Sequence, residues 1–213
     1  MSSQREGNPV LSAHCSPTGI EVCGTGNSQP PIKEYNTENT LESLYSYLDS
    51  LPGKAPLDEL TSRVERLEVT YDDFAPFVRF SDQCYTRNLV RAGQHYNVLV
   101  LCWKNGQRSP IHDHTGSSCV LRVLRGTMTE SLFEFTHHGL VKACSSHDSE
   151  PGSVAGQEDD DLHQVSNLQD GDADLVTLHI YSPPLKVMGT YSLTDRKRGQ
   201  EMMMIEFSDA AGI

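Results

Sequence analysis

The sequence predicts an α+β domain that is mainly β: a jelly-roll β-barrel preceded by short N-terminal helices. Three observations predict it. Helical periodicity is confined to a stretch between residues 37 and 67, while from residue 98 onward short strand-like runs alternate with glycine turns. The chain has 213 residues, enough for one domain with a substantial core.

Residues 1–33 are rich in Ser, Gly, Pro and Asn and are expected to form a disordered or loosely packed extension, with 34–213 as the single domain. Cys15 and Cys23 fall in that extension, and their spacing with His14 does not suit a zinc module. From Thr37 to Leu51, Leu41, Leu44, Tyr45 and Leu48 recur at i, i+3, i+4 and i+7, which places one apolar face on a helix. Pro52-Gly53 ends it. Leu57, Leu60, Val64 and Leu67 mark a second helix. The run 98–103 reads as a buried strand closed by the turn signal Asn105-Gly106. Further strands are expected at 109–114, 119–125, 127–135, 140–144, 163–167, 174–181 and 201–208, with turns at Gly116, Gly126, Gly139 and Gly171. The polar stretch 145–161, which includes Glu158, Asp159, Asp160 and Asp161, is expected to be a solvated acidic loop, since it lacks the spacing of a calcium loop.

Composition excludes several classes of partner. Net charge is −12, which opposes binding to nucleic acid or to anionic membranes. No apolar stretch approaches the ~20 residues of a membrane span. The first residues lack the apolar core of a signal peptide, and the six cysteines show no paired spacing, so reduced thiols in the cytoplasm are expected. A monomer is the expected state.

The chemistry concentrates in the run 109–119. His112 and His114 are one residue apart, and on a β-strand residues i and i+2 face the same side, so both imidazoles can reach one metal ion. His163 offers a third. Thr177, His179 and Tyr181 share one strand face, while Val176, Leu178 and Ile180 share the other. A purely structural strand would more often carry apolar groups on an inward face. His14, His95, His137, His138 and His147 read as structural or exposed.

Gly106 lies six residues before His112, Cys119 five after His114, and Gly126 seven after Cys119. This pattern resembles the first cupin motif, with Cys119 in the slot where many cupins carry a metal-binding glutamate. His163 and Asn167 match the end of the second motif and Gly152 its opening glycine, whereas Glu158 and Asp160 replace its internal Pro and Gly. The remaining ligand set is three neutral imidazoles, which leaves the full +2 charge on the metal and favours an anionic fourth ligand such as a thiolate. Zinc also accepts three histidines and water, so ligand count leaves the metal open.

The segments TyrThrArgAsnLeuVal (85–90), LeuCysTrp (101–103), IleHisAspHisThr (111–115), LeuHisGlnValSerAsn (162–167) and LeuHisIleTyrSerProPro (178–184) resemble the animal-type cysteine dioxygenases of the cupin superfamily. The resemblance implies iron(II) held by His112, His114 and His163. It implies L-cysteine and O2 as substrates, with Arg87 gripping the substrate carboxylate and Tyr85 and Leu101 beside it. Without the resemblance, Arg87 would read as a surface arginine. Tyr181 would act near the substrate, oriented by His179 with Thr177 behind it, where the family usually has serine. Cys119 would form a thioether with Tyr181, a protein-derived cofactor; for the residues alone, a buried free cysteine is the usual state. Ser182-Pro183 resembles a cis peptide of the family, although trans is the default for an X–Pro bond. Two other functions fit parts of the pattern: a dioxygenase for another small thiol such as 3-mercaptopropionate, and a non-catalytic metal- or ligand-binding cupin.

Overall fold

The computed structural model describes residues 37–206, so the expected N-terminal extension and positions 207 and 208 of the last expected strand lie outside the described residues. After a 3₁₀ turn at Thr37–Asn39, helix α1 spans Leu41–Ser50 and helix α2 spans Leu57–Arg66. Thr40 caps α1, its hydroxyl accepting from the Ser43 amide at 3.2 Å. The buried faces are those of the periodicity: Leu44, Tyr45 and Leu48 on α1, Leu60 and Val64 on α2. A second 3₁₀ segment, Tyr71–Phe77, leads into the strands.

Nine strands follow: β1 (Thr86–Ala92), β2 (Asn97–Trp103), β3 (Ile111–Arg125), β4 (Met128–Phe135), β5 (Val141–Ser149), β6 (Val154–Ser166), β7 (Leu175–Ser182), β8 (Val187–Tyr191) and β9 (Gly199–Met202). They form one antiparallel network in the order β1-β2-β7-β3-β6-β4-β5, with β8 joining β3 to β9. The architecture is mainly β with the short helices before the strands, as expected. No helix among the described residues is long and apolar enough to cross a membrane.

Strand β3 is the corner of the network. Its first residues pair with β8 (Ile111 with Tyr191, His112 with Thr190), and its second half, from Ser118, pairs with β7. Between these halves the register against β6 shifts twice, and Gly116 takes a positive φ of 83°. Glycine adopts that conformation without steric penalty. The two strands expected at 109–114 and 119–125 are thus one bent strand.

The acidic stretch 145–161 is also not a loop. Its two ends belong to β5 and β6. Strand β5 is an edge whose residues from Lys142 to Asp148 are exposed, held by backbone pairing to β4 and by polar cross-strand pairs such as Thr129 with Asp148 at 2.6 Å and Glu134 with Lys142 at 2.6 Å. On β6, Asp159 has a φ of 40° and accepts from the Gly116 amide at 2.8 Å, and Lys54 pairs with both Glu158 (2.7 Å) and Asp159 (3.2 Å). A strand with polar residues on both faces has no period-2 signal, which is why hydrophobic patterning misses it. Strands β1 and β8 were likewise not among the expected strands.

Helix α2 lies directly against β6. A Cβ on Gly156 would stand 2.7 Å from Thr61 Oγ1 and 3.1 Å from Leu57 Cδ1, so glycine sets how closely the two elements approach. Arg122 from β3 donates to the carbonyls of Val64 (2.9 Å), which also accepts from the Leu67 amide (3.3 Å), and of Leu67 (2.8 Å), tying the C-terminus of α2 to the sheet. The Ser182–Pro183 bond is cis, not the trans default.

Candidate metal and thiol-binding site

The parity of β3 delivers His112 and His114 to the interior together, and antiparallel pairing places His163 of β6 directly opposite His112. The three side chains are buried, and their candidate ligand atoms lie within 4.8 Å of one another. His112 Nδ1 lies 3.0 Å from the Pro110 carbonyl, and His163 Nδ1 lies 2.6 Å from Glu130 Oε1. Both acceptors lack a proton to give, so each Nδ1 carries the hydrogen and donates it. The two Nε2 lone pairs then face one another at 3.1 Å. Opposed lone pairs repel unless a cation lies between them. Both ring nitrogens of His114 are buried without a hydrogen-bond partner. Such orphaned groups are costly in a folded protein. These two facts fit a metal ion. Burial, followed by the neighbouring His163, pulls the pKa of His112 down to about 3, which keeps the imidazole a neutral ligand. Burial holds His114 well below the ordinary histidine range in the same way.

Asp113 points to the opposite side of β3, where it accepts from the Gly189 amide (3.0 Å), the Tyr191 hydroxyl (2.6 Å) and Arg198 Nη2 (2.6 Å). The residue between the two histidines is therefore anchored to β8 and the chain after it, which fixes the pitch of both imidazoles.

Beside the histidines lies a narrow cavity lined by Tyr85, Arg87, Leu101, His179 and Tyr181, among others. Arg87 is 6% exposed, so it is no surface arginine, and its Nε and Nη2 make no hydrogen bond among the described residues. A buried guanidinium with open donors is suited to an anionic guest, and its planar fork matches a carboxylate. Its Cζ stands 5.1 Å from the centre of the Tyr181 ring. The Tyr85 ring stacks on Trp103, with centroids 4.2 Å apart. Tyr85 and Arg87 also line an outer depression with Cys84, Glu201 and Met203, so the arginine stands between the metal site and the surface.

Thr177, His179 and Tyr181 form the expected chain on β7. Trp103 Nε1 donates to Thr177 Oγ1 at 3.0 Å, Thr177 Oγ1 lies 2.9 Å from His179 Nε2, and His179 Nδ1 lies 3.3 Å from the Tyr181 hydroxyl. The extra methyl of Thr177 relative to serine leaves both hydroxyl contacts in place. Burial and the nearby Arg87 hold His179 well below its usual pKa. Cys119 of β3 and Tyr181 of β7 are directly paired residues and pack in the same buried cluster. Burial raises the thiol of Cys119 to about 12, and burial with the adjacent Cys119 raises the Tyr181 phenol.

Residues 41–194 match the family model "Cysteine dioxygenase type I". The chain belongs to the cysteine dioxygenase type I family. It is 31% identical over 169 residues to "Cysteine dioxygenase type 1" of Danio rerio, covering 75% of this chain and 81% of that one. It is 34% identical to the Homo sapiens protein of that name over 132 residues, covering 60% of this chain and 66% of that one. Among solved structures, a double-stranded β-helix protein of Klebsiella pneumoniae is 20% identical over 55% of this chain and 90% of its own, with a TM-score of 0.39.

The structure brings together every residue singled out for the site in the sequence. It adds two that sequence reasoning missed. Trp103 ends the β2 run; the sequence reading placed it in a buried strand and in the LeuCysTrp segment but gave it no role in the site. Glu130 was not singled out in the sequence; it lies on β4, 2% exposed, behind His163. Its signal was its parity with Met128 on that strand, both being buried.

Proposed function

We propose that the chain is an iron(II)-dependent dioxygenase that converts free L-cysteine and O2 to cysteine sulfinic acid. The observation that carries it is a cluster of three buried imidazoles, two of which line a cavity together with a buried arginine whose donors are open. His112, His114 and His163 would hold the iron, which supplies a redox centre where thiolate and O2 can meet. Both oxygen atoms enter the product and the thiol proton is released, so no external reductant is needed.

The side chains bind and orient. Arg87 takes the carboxylate of the amino acid in a charge-assisted pair, which sets the reach from carboxylate to sulfur. Leu101 limits the space and excludes water. Tyr181 presents its hydroxyl to the reacting end of the substrate. His179 and Thr177 hold that hydroxyl in place and give its proton a path. We further propose that Cys119 Sγ becomes bonded to a ring carbon of Tyr181, losing two hydrogens overall with O2 as the oxidant. The direct cross-strand pairing of the two residues supports this. The thioether would fix the phenol and remove a free thiol from the site. A cytoplasmic monomer is the setting we infer, from the strongly negative charge and from the four cysteines that are free among the described residues.

Oxygen uptake with L-cysteine, cysteamine and 3-mercaptopropionate, run side by side on the iron-loaded chain, tests the reading. L-cysteine should be oxidised fastest, with sulfinate as product. Arg87→Ala should depress its turnover by one to several orders of magnitude, since a charge-assisted pair contributes roughly 1.5–3 kcal/mol and about 1.4 kcal/mol is one decade. Cysteamine has no carboxylate and should lose much less. Equal efficiency on cysteamine and cysteine would remove Arg87 from substrate recognition, and a preference for 3-mercaptopropionate would transfer the activity to that thiol. In a turned-over sample, a peptide joining residues 119 and 181 should be lighter than its parts by two hydrogens.

A further inference from the structure

Glu130 is a buried carboxylate that neither the expected ligand set nor the substrate pocket uses. Its Oε1 accepts from His163 Nδ1 at 2.6 Å and from Gln157 Nε2 at 2.7 Å, while Oε2 faces Nε2 of the partly exposed His147 at 3.3 Å. Among the described residues, its ion-pair partners are these two histidines alone; no lysine or arginine is paired with it. A carboxylate taken out of water needs a compensating charge. Besides the partly exposed His147, a dication held by the far nitrogen of His163 would supply one. The three imidazoles are therefore not equivalent. His163 is backed by a carboxylate and His112 by the Pro110 carbonyl, whereas His114 has no hydrogen-bond partner among the described residues.

Resting on the metal reading above, we infer that Glu130 is a positioning residue of this centre. It fixes the tautomer of His163 so that Nε2 faces the metal, makes that nitrogen the strongest donor of the three, and supplies one negative charge just behind the ligands. The effective charge at the centre is then lower than three neutral imidazoles alone would leave.

Glu130→Gln keeps the shape and an oxygen for the His163 N–H but removes the charge; Glu130→Ala removes both. Iron(II) and cobalt(II) binding to the purified full chain is measured by equilibrium titration, with the visible bands of bound cobalt as a second readout. Glu130→Gln should bind either metal roughly 10–100-fold more weakly, with displaced cobalt bands, while circular dichroism shows an intact fold. Glu130→Ala should bind at least as weakly as Glu130→Gln. If Glu130→Gln matches the wild-type affinity and bands, Glu130 merely fills space and the inference is overturned, with the metal reading untouched. If the wild-type chain binds neither metal, the metal reading itself fails.

Discussion

Strands β2, β3 and β7 each serve two cores, and the two differ in kind. Facing the helices, Val98, Val100, Val120, Val176, Leu178 and Ile180 pack with Leu44, Leu48, Leu60 and Val64 in an almost wholly apolar cluster. Facing the barrel interior, the alternate residues Leu99, Leu101, Trp103, Cys119 and Tyr181 surround the histidines and Arg87. The unpartnered buried atoms on the helix side, Tyr47 Oη and Asn88 Oδ1, belong to neutral side chains that are neither cationic nor metal-ligating. The interior leaves His114 and two donors of Arg87 without a partner among the described residues. The first arrangement stabilises the fold. The second is held in place by the first, and its open groups are available to ligands. One period-2 strand can thus divide its residues between stability and chemistry.

The sharpest way to break this comparison is to remove a ligand from the interior. His112→Ala should abolish turnover and metal uptake. Saturating iron(II) should raise the melting temperature of the wild-type chain, because a ligand that binds only the native state stabilises it, and should leave that of His112→Ala unmoved. The metal-free forms should melt within a few degrees of each other. A metal-free variant that no longer folds would show that the interior also carries the fold.

On the helix side the expected effect is on stability. Leu178 is 1% exposed and faces the α1–α2 core. Leu178→Ala should cost about 2–5 kcal/mol, with each kcal/mol lowering the melting midpoint by about 2–4 °C for a chain of this size. Turnover per folded molecule below the transition should stay near that of the wild type. A fall in turnover by a decade at full folding would mean that the two faces of β7 are mechanically coupled.

A smaller effect sharpens the same point at the helix–strand contact. Gly156→Ala inserts a methyl group 2.7 Å from Thr61 Oγ1, and such overpacking costs roughly 1–3 kcal/mol. Thr61→Ala in the same chain should recover part of that loss, giving a favourable coupling in a double-mutant cycle. Additive losses by denaturant unfolding would show that the helix shifts freely and that Gly156 does not set its approach.

The residues themselves carried both helices, most of the interior strands, the three histidines and the Thr177–His179–Tyr181 face, whereas Arg87, Tyr85, Leu101 and the Cys119–Tyr181 pair entered only through the family resemblance. The residues did so because these elements have strong periodicity, and because His112 with His114, and Thr177 with His179 and Tyr181, are local patterns whose geometry follows from strand parity. Strands without a hydrophobic period were illegible: the second half of β5, beyond the strand expected at 140–144, and the acidic part of β6 are held by backbone pairing and cross-strand polar contacts, which involve residues far apart in sequence. The same limit applies to the site. Nothing local to Glu130 says that it will sit behind His163, 33 residues away, or that Arg87 will be buried beside Tyr181. Those facts depend on which strands become neighbours. That choice is made by the packing of the whole barrel, where a short-range pattern can orient a side chain but cannot select its partner.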